Sequence, residues 1–393
     1  MKRKTFMIFI RILALLILLI VLAPRIRDYI SQPVKEQTVI GYSTDTVLAI
    51  VNAIIEEGII TLGEVDQPYQ ILQVSINDGE LAGESFIVDY GTRQIRNDMI
   101  PINVGDKIMV TVSSLPDGSL SAHFTDFYRG NSLLWLLGTF VAFSIIVSGW
   151  KGVRSILGIG LSLLVIILII LPGIQQGQDP LLTSILGSFF FVAYSLYIIY
   201  GWNVKTHAAV VGSLLALIIT GALAYFFVGQ TRLTGYGDEN MFYITQLTQN
   251  TLNVRHLLLA GILIGTLGVL DDLVISQASS VFELYRNNPN QDFRHLFRSA
   301  MNIGQDHIAA TVNTLVLAYA GASLPMLLLF SLRSVDFRLA INLEFIAEEI
   351  VRTLVGSLGL FAAVPITTAL AALIAVKYRD FGNFKVYLGP LNE

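Results

Sequence analysis

Two adjacent carboxylates, Asp271 and Asp272, interrupt an apolar, glycine-spaced run, GILIGTLGVLDDLVISQASSVFE, over Gly261–Glu283. If the run is helical, Asp272, Ser276, Ser279 and Glu283 stand four, three and four residues apart and share one face. Ionisable groups inside an apolar span are costly and persist mostly where they face a bundle interior or a water-filled cavity. The plain alternative is a helix end entering water. It accounts for Glu283 but less well for the aspartates, because Leu273, Val274 and Ile275 follow them. A second set joins Asp306 and Asn313 on one face, with His307, Thr311 and Thr314 on the next. An Asn inside an apolar helix needs a partner or a cavity, and an interhelical hydrogen bond serves as well as a binding site. His307 suits a proton relay near neutral pH or a structural role. A third set, after Glu344, is Glu348, Glu349 and Arg352. Glu348 and Arg352 stand in the favourable order for a helical ion pair. That pair is either structural or a gate that opens when a cation or proton competes for a glutamate.

The elements that must hold these groups follow from composition. The chain has 393 residues, 54% apolar and 14% charged, against about 25% charge in a soluble domain. The reading is an α-helical polytopic membrane protein with about eight transmembrane helices and a small extracytoplasmic all-β domain. Spans are expected near 6–23, 131–149, 156–172, 181–200, 207–228, 256–276, 308–331 and 350–376. The basic start and apolar run before Ala23-Pro24 resemble a signal peptide. The run's length and the proline at the cleavage point favour an uncleaved anchor. Lys and Arg concentrate in segments such as Lys2–Lys4, Lys151–Arg154 and Arg286–Arg298, which places both termini in the cytoplasm and residues 30–130 outside. The expected division is an anchor at 1–29, a β-rich domain at 30–130 and a seven-helix membrane domain at 131–393.

Within 30–130, period-two runs at Tyr69–Ile76, Glu84–Tyr90, Asp106–Ser114 and Leu120–Phe127 alternate with Gly- and Asp-containing turns, which predicts a compact barrel. Thr44–Gly58 fits helix or strand equally. Pro172-Gly173 should end the third span, and Pro365 should kink or break the last one beside Thr367 and Thr368. Gly261 and Gly265 form a GxxxG pair suited to close helix packing. Thr234–Asp238 matches a potassium-filter string and a GxGD protease string, but its flanks read as an ordinary loop. There is no cysteine, no His or acid set with metal-ligand spacing, and a net charge of only −4. Thiol chemistry, a bound metal, a cofactor and nucleic acid are therefore not expected.

With these segments in view the chain resembles the YibE/F family of multi-span bacterial membrane proteins. The resemblance rests on Ile264–Leu284, Ile303–Gly321 and Glu348–Thr368, and it extends to the N-terminal anchor, the β-rich domain, Tyr128-Arg129-Gly130 and Lys151–Gly160. It implies a permease-type protein of the bacterial cytoplasmic membrane and brings no substrate with it. The family pattern has one aspartate where this chain has Asp271-Asp272; its role is carried to Asp272, which aligns with the serine face.

The functional expectation is a transporter, not an enzyme. Asp271, Asp272, Ser276, Ser279, Glu283, Asp306, Asn313, Glu348, Glu349 and Arg352 are its site candidates, between the last three spans. Carboxylates suit a proton or cation, and carboxamide and hydroxyl groups suit a small polar solute. The bilayer is the expected partner, with room for a protein partner or an oligomer. Two rivals stand beside it. Gly268–Asp272 also resembles the acidic motif of polyprenyl-phosphate sugar transferases, where paired aspartates hold magnesium and phosphate, although Ile275 replaces a useful lysine. The third reading is an accessory or signalling subunit that binds a partner through the β domain.

Overall fold

A computed structural model describes residues 44–389, apart from 80, 94, 96–98, 115–117, 239, 250 and 333–335. The anchor expected at 6–23 lies outside the described residues. The chain divides into two units, one within Gln32–Ser144 and the other holding Ile145–Glu393.

Strand-forming alternation builds the first unit. It contains β1 (Thr44–Leu62), β2 (Val65–Ile76), β3 (Ser85–Tyr90), β4 (Lys107–Ser114) and β5 (Leu120–Phe127). All pairings are antiparallel, in the order β3-β2-β1-β4-β5. Leu72, Val74 and Ile76 face a common core with Val88, Tyr90, Ile108, Val110 and Val112, as period-two side chains on one face must. The ambiguous Thr44–Gly58 is strand. Its alternation is blurred because β1 shifts register between Val51 and Ala53 and again between Ile54 and Glu56, and each extra residue reverses the side-chain phase. The sheet curls until its edge strands meet: the Tyr90 ring of β3 lies 4.6 Å from Phe124 and 6.2 Å from Phe127 of β5. The result is a five-stranded, partly open barrel.

Apolar runs punctuated by capping residues build the rest. The helices are α1 (Gly130–Ser148), α2 (Trp150–Gln175), α3 (Pro180–Tyr200), α4 (Val204–Gln230), α5 (Asn240–Leu247), α6 (Val254–Asn287), α7 (Phe293–Ala322), α8 (Leu324–Leu332), α9 (Phe337–Ala340), α10 (Glu344–Lys377) and α11 (Lys385–Leu388). Asp179, Asn203, Asn253 and Asp292 cap α3, α4, α6 and α7 by accepting from the backbone N–H three residues on. Among the described residues α1–α4, α6 and α10 are each long and apolar enough to cross a membrane, and α7 with α8 makes a seventh if the bent pair is one span. These helices fit a membrane protein, and each expected span beyond the first has a counterpart.

Four local expectations are corrected. Pro172-Gly173 does not end α2, because a π turn at Ile166–Ile170 precedes it and the helix runs on to Gln175. The wider turn relieves the crowding a proline ring causes in a regular helix. α10 passes unbroken through Pro365, where the buried Thr368 hydroxyl still donates to the Val364 carbonyl at 2.6 Å. The break falls instead between α7 and α8, a 61° bend just before Pro325, a residue that disfavours helical geometry in the position before it. Finally, among the described residues the Gly261/Gly265 pair does not bring another helix's backbone close. A Cβ on Gly261 would meet nothing within 4 Å, and one on Gly265 would meet only the Tyr319 hydroxyl at 3.3 Å.

Close packing comes from other glycines. A Cβ on Gly212 of α4 would lie 2.3 Å from Thr367 Oγ1 of α10, and one on Gly359 of α10 would lie 2.1 Å from Thr220 Oγ1 of α4. α6 is the hub, packing on α3, α4, α7 and α10. Its buried Leu263, Leu267, Leu270 and Val274 belong to the main core, and Gln277 ties three helices by donating to Ala300 O at 2.9 Å and Thr368 Oγ1 at 2.7 Å.

Candidate functional site

Asp271 lies 17 residues into α6, about 26 Å from its first residue at a rise of 1.5 Å. It is 9% exposed, and its Oδ1 accepts a hydrogen bond from Ser213 Oγ of α4 at 2.9 Å. Ser213 is held in place by its neighbour Gly212, whose missing side chain brings α4 against α10. Among the described residues no Lys, Arg or His makes an ion pair with Asp271 or Asp272. A buried carboxyl group without a cation is costly, so it is either neutralised by a proton or awaits a charged ligand.

Asp271 and the more exposed Asp272 both line a cleft of about 250 Å³. Its other walls are α2, through Ser155, Gly158 and Ser162, and α3, through Phe191, Ser195 and Tyr200, with Gly268 of α6 also lining it. Hydroxyls of α2 and α3 therefore line the cleft beside the carboxylates, and that of Ser213 on α4 bonds Asp271. Such a set can bind a proton, a cation with its water, or the donor groups of a small polar solute.

The ten residues expected in one site fall into separate places. Asp271 faces α2, α3 and α4 rather than the last two spans, because the side of α6 turned to α10 is taken by core residues, whereas Asp272 lines the same cleft and also lies within electrostatic reach of His307 on α7. Ser276 Oγ lies 3.4 Å from His307 Nδ1 of α7. Ser279 turns back to bond the Ile275 carbonyl at 2.7 Å, and Glu283 pairs with Arg286 near the helix end. Asp306 and Asn313 are exposed on α7, on the face opposite its buried Gly304, Ile308 and Leu315. The pairing expected between Glu348 and Arg352 is not formed: Arg352 bonds Glu349 at 2.6 Å.

Glu348 instead turns, buried, to the backbone N–H of Gly237 at 3.1 Å. Glu344, one turn earlier, accepts from Thr234 Oγ1 at 2.6 Å and from the Gly235 N–H at 3.0 Å. The Thr234–Asp238 string is thus clasped to the start of α10 by two carboxylates, and Gly237 has no room for a side chain there. At the same end of the bundle Asp179 caps α3 and also binds His256 of α6. Burial pushes the Asp179 carboxyl up, but the Leu182 N–H, His256 and the Leu181 N–H together hold it below its ordinary value.

Sequence reading missed Ser213, Ser195, Ser155, Ser162 and Tyr200. The available signal was the serines of α3, at 184, 188 and 195 in an apolar run, which repeat on one helical face. No curated protein and no solved structure matches the chain. The model of the YibE/F-like protein family matches residues 136–377, which include every wall of the cleft, and a match over more than half of the chain makes it a member of that family.

Proposed function

We propose that this protein is a transporter of the bacterial cytoplasmic membrane for a small polar solute or ion, and that the Asp271–Asp272 cleft binds the solute or its coupling cation. Both termini would be cytoplasmic, with the β unit outside. The observation that supports this reading is Asp271 itself: a carboxyl group buried among apolar helices, hydrogen-bonded to Ser213 and, among the described residues, without a basic partner. Acids within spans are rare, face a bundle interior or a water-filled cavity, and mark ion and substrate pathways. An enzymatic role is not part of the proposal.

The test is thermal unfolding of purified wild type, Asp271→Asn and Asp272→Asn across pH, monovalent and divalent cations and small polar solutes. A ligand that binds only the folded state stabilises it by about 2.7 kcal/mol at a hundredfold excess over Kd. The expected result is a stabilising ligand for wild type whose effect is lost in Asp271→Asn. The reading fails if variants and wild type respond identically, or if Asp271→Asn only lowers expression. Stabilisation that needs magnesium together with a polyprenyl phosphate would replace transport with the lipid-phosphate enzyme. A stoichiometric second chain bound through the β unit would favour the accessory reading.

A further inference from the structure

The cleft does not end at Asp271. Ser184, Ser188 and Ser195 follow one another at four and seven residues along α3, within about 40° of one face, and all three are buried. Buried hydroxyls ordinarily find a partner. Among the described residues those of Ser184 and Ser188 meet none, and Ser195 Oγ lies beside the Asp271 carboxyl but outside hydrogen-bond geometry. Ser188 lines a second cavity, of about 150 Å³, with Ser162, Gly187, Phe191 and Gly268. The far wall of that cavity is the π turn of α2, through Ile166 and Ile170. Such irregular turns recur at functional positions.

Ser162, Phe191 and Gly268 belong to both cavities. Phe191 stands three residues after Ser188 and four before Ser195, and its side chain borders both cavities. At about 30 Å³ for each water the inner cavity has room for about five, and the Ser188 hydroxyl supplies an anchor that is otherwise unsatisfied. The cavity offers too few oxygens to replace the hydration shell of a metal ion. A proton needs only a chain of waters and hydroxyls.

We propose that the cleft and the inner cavity are two compartments of one proton pathway along the serine face of α3, ending at Asp271, and that Phe191 is the apolar gate between them. Closed, the ring keeps the stretch between the cavities dry; displaced, it lets water join Ser188 to Ser195. The groups facing Asp271 across this path are Asp272 on α6, Tyr200 and Ser195 on α3, and Ser213 on α4, with His307 of α7 in electrostatic reach of Asp272. This inference rests on the transport reading of the cleft and names its coupling ion.

The chain has no cysteine, so single cysteines report without background. Ser195→Cys, Ser188→Cys and the outward-facing control Leu186→Cys, 60% exposed on the other side of α3, are labelled in native membranes with a small water-soluble methanethiosulfonate. Ser195→Cys should react readily, Ser188→Cys slowly, and Leu186→Cys not at all. Adding Phe191→Ala should raise the Ser188→Cys rate about tenfold or more, the factor expected when a gate open in at most a tenth of molecules is removed. Phe191→Trp should leave it slow, and equal melting temperatures for both variants exclude misfolding. In liposomes loaded with a pH dye, Phe191→Ala should leak protons faster than wild type, and Asp271→Asn should suppress that leak. The gate is overturned if Phe191→Ala leaves the Ser188→Cys rate unchanged, and the proton assignment if Phe191→Ala leaks no faster. An unreactive Ser195→Cys would instead overturn the water-open cleft on which the transport reading depends.

Discussion

Gly359→Ala tests the packing that holds Ser213 against Asp271. α4 and α10 run antiparallel and touch at two points eight residues apart, Gly212 on Thr367 and Thr220 on Gly359. A Cβ on Gly359 would lie 2.1 Å from Thr220 Oγ1 and 3.2 Å from Thr220 Cβ and Cγ2. Thr220 cannot turn aside freely, since it is fully buried and its hydroxyl donates to the Ala216 carbonyl at 2.8 Å. Giving up that bond costs about 0.5–1.5 kcal/mol, and overpacking of this kind costs about 1–3 kcal/mol in all. Alanine returns up to about 1 kcal/mol through its better helix propensity, so the net expected loss is about 0–2 kcal/mol, or about 1–3 kcal/mol relative to the same change in open space. Gly261→Ala is the matched control, with the same propensity gain and open space around the new methyl; it should be neutral or slightly stabilising. Thr220→Ala removes the obstructing hydroxyl and methyl, so the Thr220→Ala, Gly359→Ala double variant should recover about 1 kcal/mol over the sum of the singles. The assay is reversible unfolding in mixed micelles. If Gly359→Ala is as stable as Gly261→Ala, or if the double variant is simply additive, the close approach of α4 and α10 is wrong, and with it the placement of Ser213.

Ser213→Ala removes the donor to Asp271. The Kd of any ligand found for the cleft should change by about tenfold or more, since hydrogen bonds to charged groups are worth about 1.5–3 kcal/mol; an unchanged Kd by calorimetry would separate Ser213 from the site. Glu344→Ala releases the Thr234–Gly235 clasp, and amide exchange at Thr234 and Gly235 should speed up while the core of α6 keeps its protection. Asp179 carries the pH prediction. Its folded carboxyl takes a proton only at lower pH than the unfolded one, so its stabilising contribution is whole above an unfolded value of about 3.9 and disappears as pH falls through the lower folded value. Asp179→Asn can still cap α3 but has no such titration, and its stability should fall less than that of wild type between about pH 4 and pH 2; parallel acid limbs would show that the Asp179 carboxyl is not held below its unfolded value by these contacts.

The spans were legible because a bilayer-length apolar helix is written in composition alone, and the strands of the β unit because most keep strict alternation. β1 was not, since its two register shifts erase the period from which a strand is read. The Thr220–Gly359 contact was invisible for another reason: a glycine announces that something approaches but not what does so. Asp271 and Asp272 were found from cost, as acids among Leu and Ile, yet their surroundings were misassigned. Helical spacing fixes which residues share a face and says nothing about which neighbour that face meets. The serines of α3 were passed over because each alone is unremarkable in a span. Only their common burial without partners makes them informative, and that is a property of the packed chain.

α6 divides its surface between holding the fold and lining the cleft, and this makes the two separable by mutation. Leu263, Leu267, Leu270 and Val274 are buried in the main core, and truncating Leu270 to Ala should cost about 2–5 kcal/mol. Gly261, Gly265, Gly268 and Asp272 lie on the open side of the same helix. Nothing approaches within 4 Å of a Cβ placed on Gly268, although that residue borders both cavities. A leucine there meets space rather than packed atoms, so Gly268→Leu should unfold within about 0.5 kcal/mol of wild type. The side chain would nevertheless fill the passage between Ser162 and Phe191. It should abolish labelling of Ser188→Cys and any stabilisation by a ligand of the cleft, while Leu270→Ala should weaken the fold and leave both responses in the surviving folded protein. If Gly268→Leu destabilises as strongly as Leu270→Ala, the glycine face is a packing surface after all; if it leaves labelling and ligand response intact, the open side of α6 is not where the proposed ligand binds.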